Sequence, residues 1–522
     1  MATGMNVSYD LSGAARCCRS LALVVLLGVV AGCARLPPRA ELPDEPALPA
    51  ATEGVIAGRV VPLTTANPGQ SGFHLVSDGT QAYALRAYSA QAATRSLDIQ
   101  TYIWHADLTG RLLARQALQA ADRGVRVRIL VDDLDARAKN AGLAALDAHP
   151  RIEVRLYNPM ASRSGKLGMA GEFSTGFKRL NHRMHNKSWI ADGRMALVGG
   201  RNLGNEYFNA SDGANFIDLD MLMVGPVVDA AASNFDRFWN SPSNYPIHQL
   251  SPEAVSDEKL ERLRTVLEAS VEELAGSGYA TVLREDPRVQ DIIDGGTQLH
   301  WSGTWRFVSD DPLKARLPLE KRSEVVAALL PQIAGARQRL LVISPYFVPG
   351  ERGTAELVGA AGRGIDVRIL TNSLAANDVA AVHGGYSRYR RDLLEGGIGL
   401  WELKPSGTPA KFSLAGSSGS SLHTKAMIVD EGVFVGSYNL DPRSTSLNTE
   451  QGVLVGHPAL ASELALLFAR QTAPDHAWSV TLDHGDLRWR DGEKTWTGDP
   501  EATGSQKALA WLMRILPVES QL

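Results

Sequence analysis

The sequence carries the same long pattern twice. His185-x-Lys187-x4-Asp192, followed by Gly199-Gly200-x-Asn202, recurs as His423-x-Lys425-x4-Asp430, followed by Gly436-Ser437-x-Asn439. The flanks recur in step. Arg123-Gly124-Val125-Arg126-Val127-Arg128-Ile129-Leu130 returns as Arg363-Gly364-Ile365-Asp366-Val367-Arg368-Ile369-Leu370. Leu97-Asp98-Ile99-Gln100-Thr101-Tyr102 parallels Leu341-Val342-Ile343-Ser344-Pro345-Tyr346. A unit this long, present twice, is a duplicated domain rather than a solenoid repeat. The 522 residues suffice for two sizeable cores.

Each unit reads in the same order. An apolar strand (97–103; 339–346) precedes an Ala- and Leu-rich helix (110–123; 353–362) and a buried strand (125–132; 365–371). Strand-helix alternation predicts an α/β sheet in each half. The motif itself predicts strand, turn, strand, with Glu431-Gly432 as the turn of the second copy. On a strand, His185 and Lys187 project to one face, as do His423 and Lys425. Gly199, Gly200 and Gly436 are expected to let the backbone come close to a bound phosphate.

Brought together, two copies supply two imidazoles, two ammonium groups and two amides in a nearly two-fold pocket. That set suits phosphoryl transfer without a metal: a nucleophile, an acid/base, and donors for an anionic phosphate. Lys187 and Lys425 are expected to neutralise non-bridging oxygens, helped by the Asn202 and Asn439 amides. A nucleophilic imidazole needs an acceptor on its other nitrogen. Asp218 and Glu450, each following the histidine of its own half, are the candidates, and Asp220 competes in the first half. Asp192 and Asp430 sit at the turn after the lysine and are expected to brace it or pair with a cation. Ser437 stands where the first copy has Gly200, so its hydroxyl either bonds phosphate or closes a turn. His182 and His383 are further pocket candidates, whereas His74, His105 and His457 are expected to be structural. No cluster has metal-ligand spacing and the phosphate-cradling P-loop is absent, so no metal or other cofactor is expected.

The duplicated pattern resembles the phospholipase D superfamily across about residues 70–470. Within it, Gln100-Thr101-Tyr102-Ile103-Trp104, Asn181-His182-Arg183-Met184-His185-Asn186-Lys187 and Gly199–Phe208 look like the bacterial cardiolipin synthase branch, closest to its C type. The resemblance implies an α/β fold of two pseudo-two-fold-related phospholipase D-like sandwich domains in one chain, sharing one active site. It also implies a phosphohistidine formed on His185, with His423 as the acid/base, and an acidic partner for the imidazoles. The implied reaction passes a phosphatidyl group to phosphatidylglycerol, giving cardiolipin and a released alcohol, with phosphatidylethanolamine as a further donor candidate. A hydrolytic phospholipase D is the alternative. An inactive lipid-binding envelope lipoprotein is a third reading, against which both intact His/Lys pairs weigh.

The formal charge of −4 lacks the basic excess of a protein that binds nucleic acid non-specifically, so no nucleic-acid partner is expected. Near the start, Arg16 and Arg19 precede the apolar run Leu21–Val30, which is too short to span a bilayer. Val30-Ala31-Gly32-Cys33 resembles a bacterial lipobox, so residues 1–32 are expected to be a signal peptide and Cys33 the lipidated residue. Ala34 resembles the residue that sends lipoproteins to the outer membrane. The expected location is the cell envelope, lipid-anchored and facing the periplasm, where better-known cardiolipin synthases use membrane-spanning helices. The expected map continues with a flexible tether (33–68), a first domain (69–245), a helical connector (246–303), a second domain (304–475) and a C-terminal extension (476–522). The extension holds the amphipathic run Lys507–Leu516, whose Trp511 either dips into a membrane interface or packs on the protein.

Overall fold

The computed structural model describes residues 36–136, 140–161, 172, 179–377, 379–405, 422–516 and 519. The expected leader and Cys33 lie outside the described residues. The two halves build two sheets with the same seven-strand order. In the first it runs Ser71–Val76, Asp220–Val224, Met195–Gly199, Ser188–Ala191, Ser96–Thr101, Arg126–Asp132, Ile152–Tyr157. In the second it runs Trp305–Ser309, Gln451–Gly456, Gly432–Gly436, Ala426–Val429, Arg339–Ile343, Asp366–Asn372, Gly399–Leu403. The last three strands of each series are mutually parallel and the others antiparallel. Helices Leu108–Asp122 and Gly350–Gly362 are the crossovers that the parallel neighbours require.

Central strands covered on both faces read as near-continuous apolar runs. Val127, Ile129, Leu130 and Val131 are all buried, as are Leu340–Ile343. The facing surfaces of the two sheets enclose one shared core. Helices Pro226–Trp239 and Pro458–Gln471 fill it, placing Phe235, Trp239, Leu464 and Phe468 among Ile190, Val198, Ile428 and Val435. The halves are therefore bonded through a continuous apolar interior as well as through the site described below.

Three segments lie outside the two repeated units. Residues 36–51, expected to lie in a flexible tether, are laid along the first half. Glu45 accepts from the Trp239 indole, Ala47 N donates to Asp236, and Arg128 donates to the Glu45 carbonyl. A stretch without helical or strand period still orders when its backbone groups meet buried partners. Helix Val55–Ala66 follows it. In the connector helix Asp257–Ala275, Leu260 and Leu267 are buried and Leu263 and Leu274 pack against the core, while Val266 and Val271 face solvent. Beyond the second unit, strands Ala477–Asp483, Asp486–Arg490 and Thr495–Trp496 extend the second sheet before helix Gly504–Ile515. Among the described residues no helix is long and apolar enough to cross a membrane.

The motif aspartates brace the fold. Asp192 and Asp430 each occupy a left-handed turn position, with φ of 55° and 54°. Asp192 accepts from the backbone N–H groups of Thr94, Arg95 (2.7 Å) and Ser96 (3.1 Å). Asp430 accepts from those of Arg337, Gln338 (2.8 Å) and Arg339 (3.1 Å). Each carboxylate thus ties the motif hairpin to the start of the neighbouring central strand. Burial works against the Asp430 charge, but its backbone donors outweigh it and hold the carboxyl below its usual range. A depressed folded pKa contributes stability above the unfolded value and loses it as pH falls. Asp430→Asn is therefore expected to lower the midpoint of thermal unfolding at pH 7, with the gap from the parent closing below about pH 4. Asp192→Ala, which strands three backbone donors, that of Ser96 buried, is expected to cost about 1–3 kcal/mol in denaturant unfolding while the folded fraction keeps its turnover.

Candidate active site

The strands that carry the motifs begin only after the His-x-Lys segments that the sequence reading put on them, because those segments leave their own sheets. Strand Ser188–Ala191 starts after Lys187, and Ala426–Val429 after Lys425. His185 N donates to the Thr449 carbonyl (2.9 Å) and Thr449 N donates to the Arg183 carbonyl (2.9 Å). On the other side His423 N donates to the Ile217 carbonyl (2.8 Å). Each histidine is thus stitched by backbone bonds to the opposite half.

The side chains follow the backbone across. Nδ1 of His185 lies 2.9 Å from Glu450 Oε2, and Nδ1 of His423 lies 2.6 Å from Asp218 Oδ2. The order along the chain paired each acid with the histidine of its own half, and the structure exchanges them. Sheet register explains why. Gly199 pairs with Asp220 and Gly436 with Gly452, so Asp218 and Glu450 hold equivalent places just ahead of their strands. There they meet the segment that crosses over, not the one beside them in sequence. With Nδ1 engaged on both rings, Nε2 is the nitrogen that each imidazole presents to the cleft.

All these groups are buried. Burial pushes His185 down to about 4 and, with Lys425 beside it, His423 down to about 3. Both rings are therefore neutral near pH 7 and donate from Nδ1. Burial works against the Glu450 and Asp218 charges too, but His185 and His423 respectively outweigh it and hold both carboxyls below their usual range. Burial also holds Lys187 well below the usual ammonium range. Lys187 and Lys425 each donate from Nζ to the carbonyl of the histidine two residues back. The crossed bonds of His185 and His423 bring both His/Lys pairs to the junction of the halves, where each lysine disfavours protonation of the other half's imidazole. Neutral Nε2 atoms, two ammonium groups and water exclusion equip this cleft to attack and stabilise a phosphodiester.

A family profile described as "Cardiolipin synthase, PLD-like domain" matches residues 89–239 and 329–472, one copy per half. The chain is 41% identical to cardiolipin synthase C of Escherichia coli (strain K12), covering 89% of this chain and 99% of that protein. The chain belongs to the cardiolipin synthase family. An uncharacterised protein of Helicobacter pylori (strain ATCC 700392 / 26695) is 31% identical over 82% of this chain and 84% of its own length. The crystal structure of a phosphatidylserine synthase from Haemophilus influenzae Rd KW20 shares the fold, with a TM-score of 0.56 at 13% identity, covering 88% of this chain and 99% of that one.

Several family-motif residues are placed differently from expectation. Gly199, Gly200 and Gly436 meet protein rather than open space. A Cβ at Gly200 would fall 2.2 Å from Asp218 Oδ1, and one at Gly436 would fall 2.3 Å from the Gln451 carbonyl. The Ser437 hydroxyl donates to Glu450. Asp220 pairs with Arg86 (2.9 Å) and Arg201 (3.4 Å), so it is not an imidazole partner. Asn202 donates to the Tyr207 hydroxyl (2.9 Å) and accepts from Ile103 N, while Asn439 Oδ1 is buried without a partner among the described residues. His182 bridges Tyr157 and the Leu447 carbonyl, and His383 sits by Asp499 and Arg390, so neither lines the cleft. His105, Asp107 and Glu206 cluster closely enough to hold a cation, but Asp107 already accepts from Gly110 N and Asn205 N.

Other positioning residues went unnoticed in the sequence. Asp132 accepts from Met184 N (2.8 Å) and Arg183 (3.0 Å), fixing the residue before His185. Asn372, at the matching strand end, exchanges bonds with Leu422 before His423. The signal was a polar residue closing the same buried run in both copies. Tyr102 packs edge-on against His185, and Tyr207 and Phe216 flank His423.

Two outcomes follow from this geometry. Gly200→Ser forces Asp218 off His423 and is expected to cut turnover by at least about tenfold, measured as kcat per folded molecule, while Ser437→Gly is milder. The depressed imidazoles take up protons on unfolding before they do so when folded, so stability drops as pH falls from 6.5 to about 4. A His185→Ala, His423→Ala double variant is expected to lose less stability across that window in denaturant titrations.

Proposed function

We propose that this chain is a phosphatidyltransferase that makes cardiolipin by phosphodiester exchange through a phosphohistidine. The observation that carries the reading is the crossed pair of carboxylate-bound imidazoles with two lysines around one cleft. A glycerophospholipid donor, phosphatidylglycerol or phosphatidylethanolamine, enters with its phosphodiester between Lys187 and Lys425. His185 Nε2 attacks phosphorus, the P–N bond forms, and the P–O bond to the headgroup alcohol breaks. His423, which takes up a solvent proton on Nε2 as the anionic donor binds, gives that proton to the departing alcohol. The terminal hydroxyl of phosphatidylglycerol then gives its proton to His423 and attacks phosphorus. The P–N bond breaks, His185 is regenerated and cardiolipin departs. One phosphodiester replaces another at each passage, so no nucleotide is needed.

Charge is balanced along this path. The empty cleft holds two lysines against two carboxylates. A bound phosphodiester adds one negative charge, which favours the proton that His423 must carry. Charge growing on the non-bridging oxygens strengthens the lysine contacts toward the transition state. Glu450 and Asp218 orient the rings and stabilise them when charged. Membrane anchoring through Cys33, with the body facing the periplasm, belongs to the same proposal.

The test incubates the purified full chain with vesicles of phosphatidylglycerol and phosphatidylethanolamine. Cardiolipin with released glycerol or ethanolamine is the expected product, and phosphatidic acid alone would establish the hydrolase instead. His185→Ala and His423→Ala are each expected to lower turnover by about 10³ or more. Protein denatured in detergent at neutral pH, which preserves the P–N bond, should carry label from phosphorus-labelled donor in His423→Ala and none in His185→Ala, and the reverse pattern would exchange the two roles.

A further inference from the structure

Helix Gly504–Ile515 carries two apolar faces, and the protein uses one. Gln506, Leu509, Ala510 and Met513 turn inward. Ala510 packs so closely on helix Ala380–Tyr386 that a Cβ at Gly384 would fall 2.7 Å from the Ala510 carbonyl and 2.9 Å from Met513 Cβ. The second face, Ala508, Trp511, Leu512 and Ile515, points to solvent at the same helical spacing. Trp511 is 63% exposed and Ile515 59%, and Trp511 is the one exposed tryptophan among the described residues. The remaining exposed large apolar side chains are scattered over the molecule, whereas Trp511, Leu512, Ile515 and Leu516 are contiguous.

Charge completes the pattern. Lys507 and Arg514 flank the apolar face and have no ion-pair partner among the described residues. With Arg391 and Arg488 they line an adjoining cavity of about 570 Å³ in which Asp486 and Asp499 are the acidic members. On a chain of net charge −4, this is a local basic field beside exposed tryptophan and leucine. That pairing matches the surface of a bilayer with anionic headgroups: apolar side chains enter the acyl boundary, the indole sits at headgroup level, and the cations meet phosphates.

The helix is also tied to the strand end that positions the residue before His423. Gln506 Nε2 donates to the Leu374 carbonyl (3.3 Å). Leu374 lies just past strand Asp366–Asn372, whose terminal Asn372 holds Leu422, the residue before His423. Through that bond the helix is coupled to the segment that carries His423. We propose that helix Gly504–Ile515 is an interfacial membrane-docking element that seats the His423 side of the cleft on an anionic lipid surface.

This inference rests on the lipid-substrate reading but is tested apart from turnover. The full chain is mixed with phosphatidylglycerol/phosphatidylethanolamine vesicles whose acyl chains are brominated near the headgroup. Quenching of tryptophan emission is expected in the parent and in His185→Ala, which makes no product, and is expected to be largely lost in Trp511→Phe. A chain held to the vesicle through another segment alone would show equal quenching in the parent and in Trp511→Phe, and that result overturns the proposal. Trp511→Glu with Leu512→Glu is expected to lower vesicle-lipid turnover by roughly tenfold without shifting the thermal unfolding midpoint. Lys507→Glu with Arg514→Glu should do so on phosphatidylglycerol-rich vesicles and much less on zwitterionic ones. Parent-like turnover in the Trp511/Leu512 variant would equally sink the assignment. Absent turnover in the parent, with Trp511 still quenched, would defeat the transferase reading and leave the docking helix standing.

Discussion

Everything in the cleft depends on the exchange of partners between the halves. Each imidazole is held by a carboxylate from the other sheet, and each histidine backbone is bonded to the other sheet as well. Neither half alone can orient its own ring. The reactive geometry therefore exists only when the halves are docked, and the shared apolar core between the sheets makes docking part of folding. Docking in turn buries two lysines and two acids, which alone would be unfavourable without mutual compensation. Their compensation is itself crossed, since Glu450 offsets Lys187 and Asp218 offsets the charge that His423 acquires.

The sequence made the duplication legible because repeated chemistry at matched positions survives as text. It identified both His/Lys pairs, the two acids, and the strand-helix order, all of which are local or repeated properties. It missed the crossing because distance along a chain says which residues are near in sequence, not which strand edge faces which. Register supplies that information: Asp218 and Glu450 precede strands that lie beside the motif hairpin, so their side chains meet whatever crosses in front. The glycines have a packing reason that the sequence did not show. A glycine near phosphate chemistry suggests a phosphate, but Gly200 and Gly436 are small because a carboxylate and a neighbouring strand already occupy the space.

The segment at residues 36–51 shows the opposite error. Low periodicity was read as freedom, although periodicity reports only helices and strands. An extended segment can be fixed by single bonds at irregular intervals, as Glu45 and Ala47 are fixed by Trp239 and Asp236. Asp192 and Asp430, in contrast, were placed correctly at turns, since the short reach of an aspartate from a left-handed turn limits it to nearby backbone donors.

Symmetry stops at the cleft, and its failures lie where the substrate's own asymmetry would matter. At the equivalent sheet edges the first half carries the short strand Asn244–Pro246, leading into the connector helices, while the second carries three added strands and the amphipathic helix. Inside, Gly200 lies under the Asp218 carboxylate, whereas the longer Glu450 leaves room for Ser437, whose hydroxyl holds it. A phosphodiester exchange needs two nearly equivalent nitrogens on opposite sides of one phosphorus, which a duplicated fold supplies. It also needs the departing alcohol and the incoming lipid hydroxyl to share one side, opposite the covalent intermediate. On the proposed roles His423 serves that shared side, and its segment is the one tied through Asn372 and Leu374 to the proposed docking helix. Water competes for the same position. A rim pressed against lipid would favour the lipid hydroxyl over water by local concentration, so the exposed face at Trp511 and the choice between transfer and hydrolysis are physically linked.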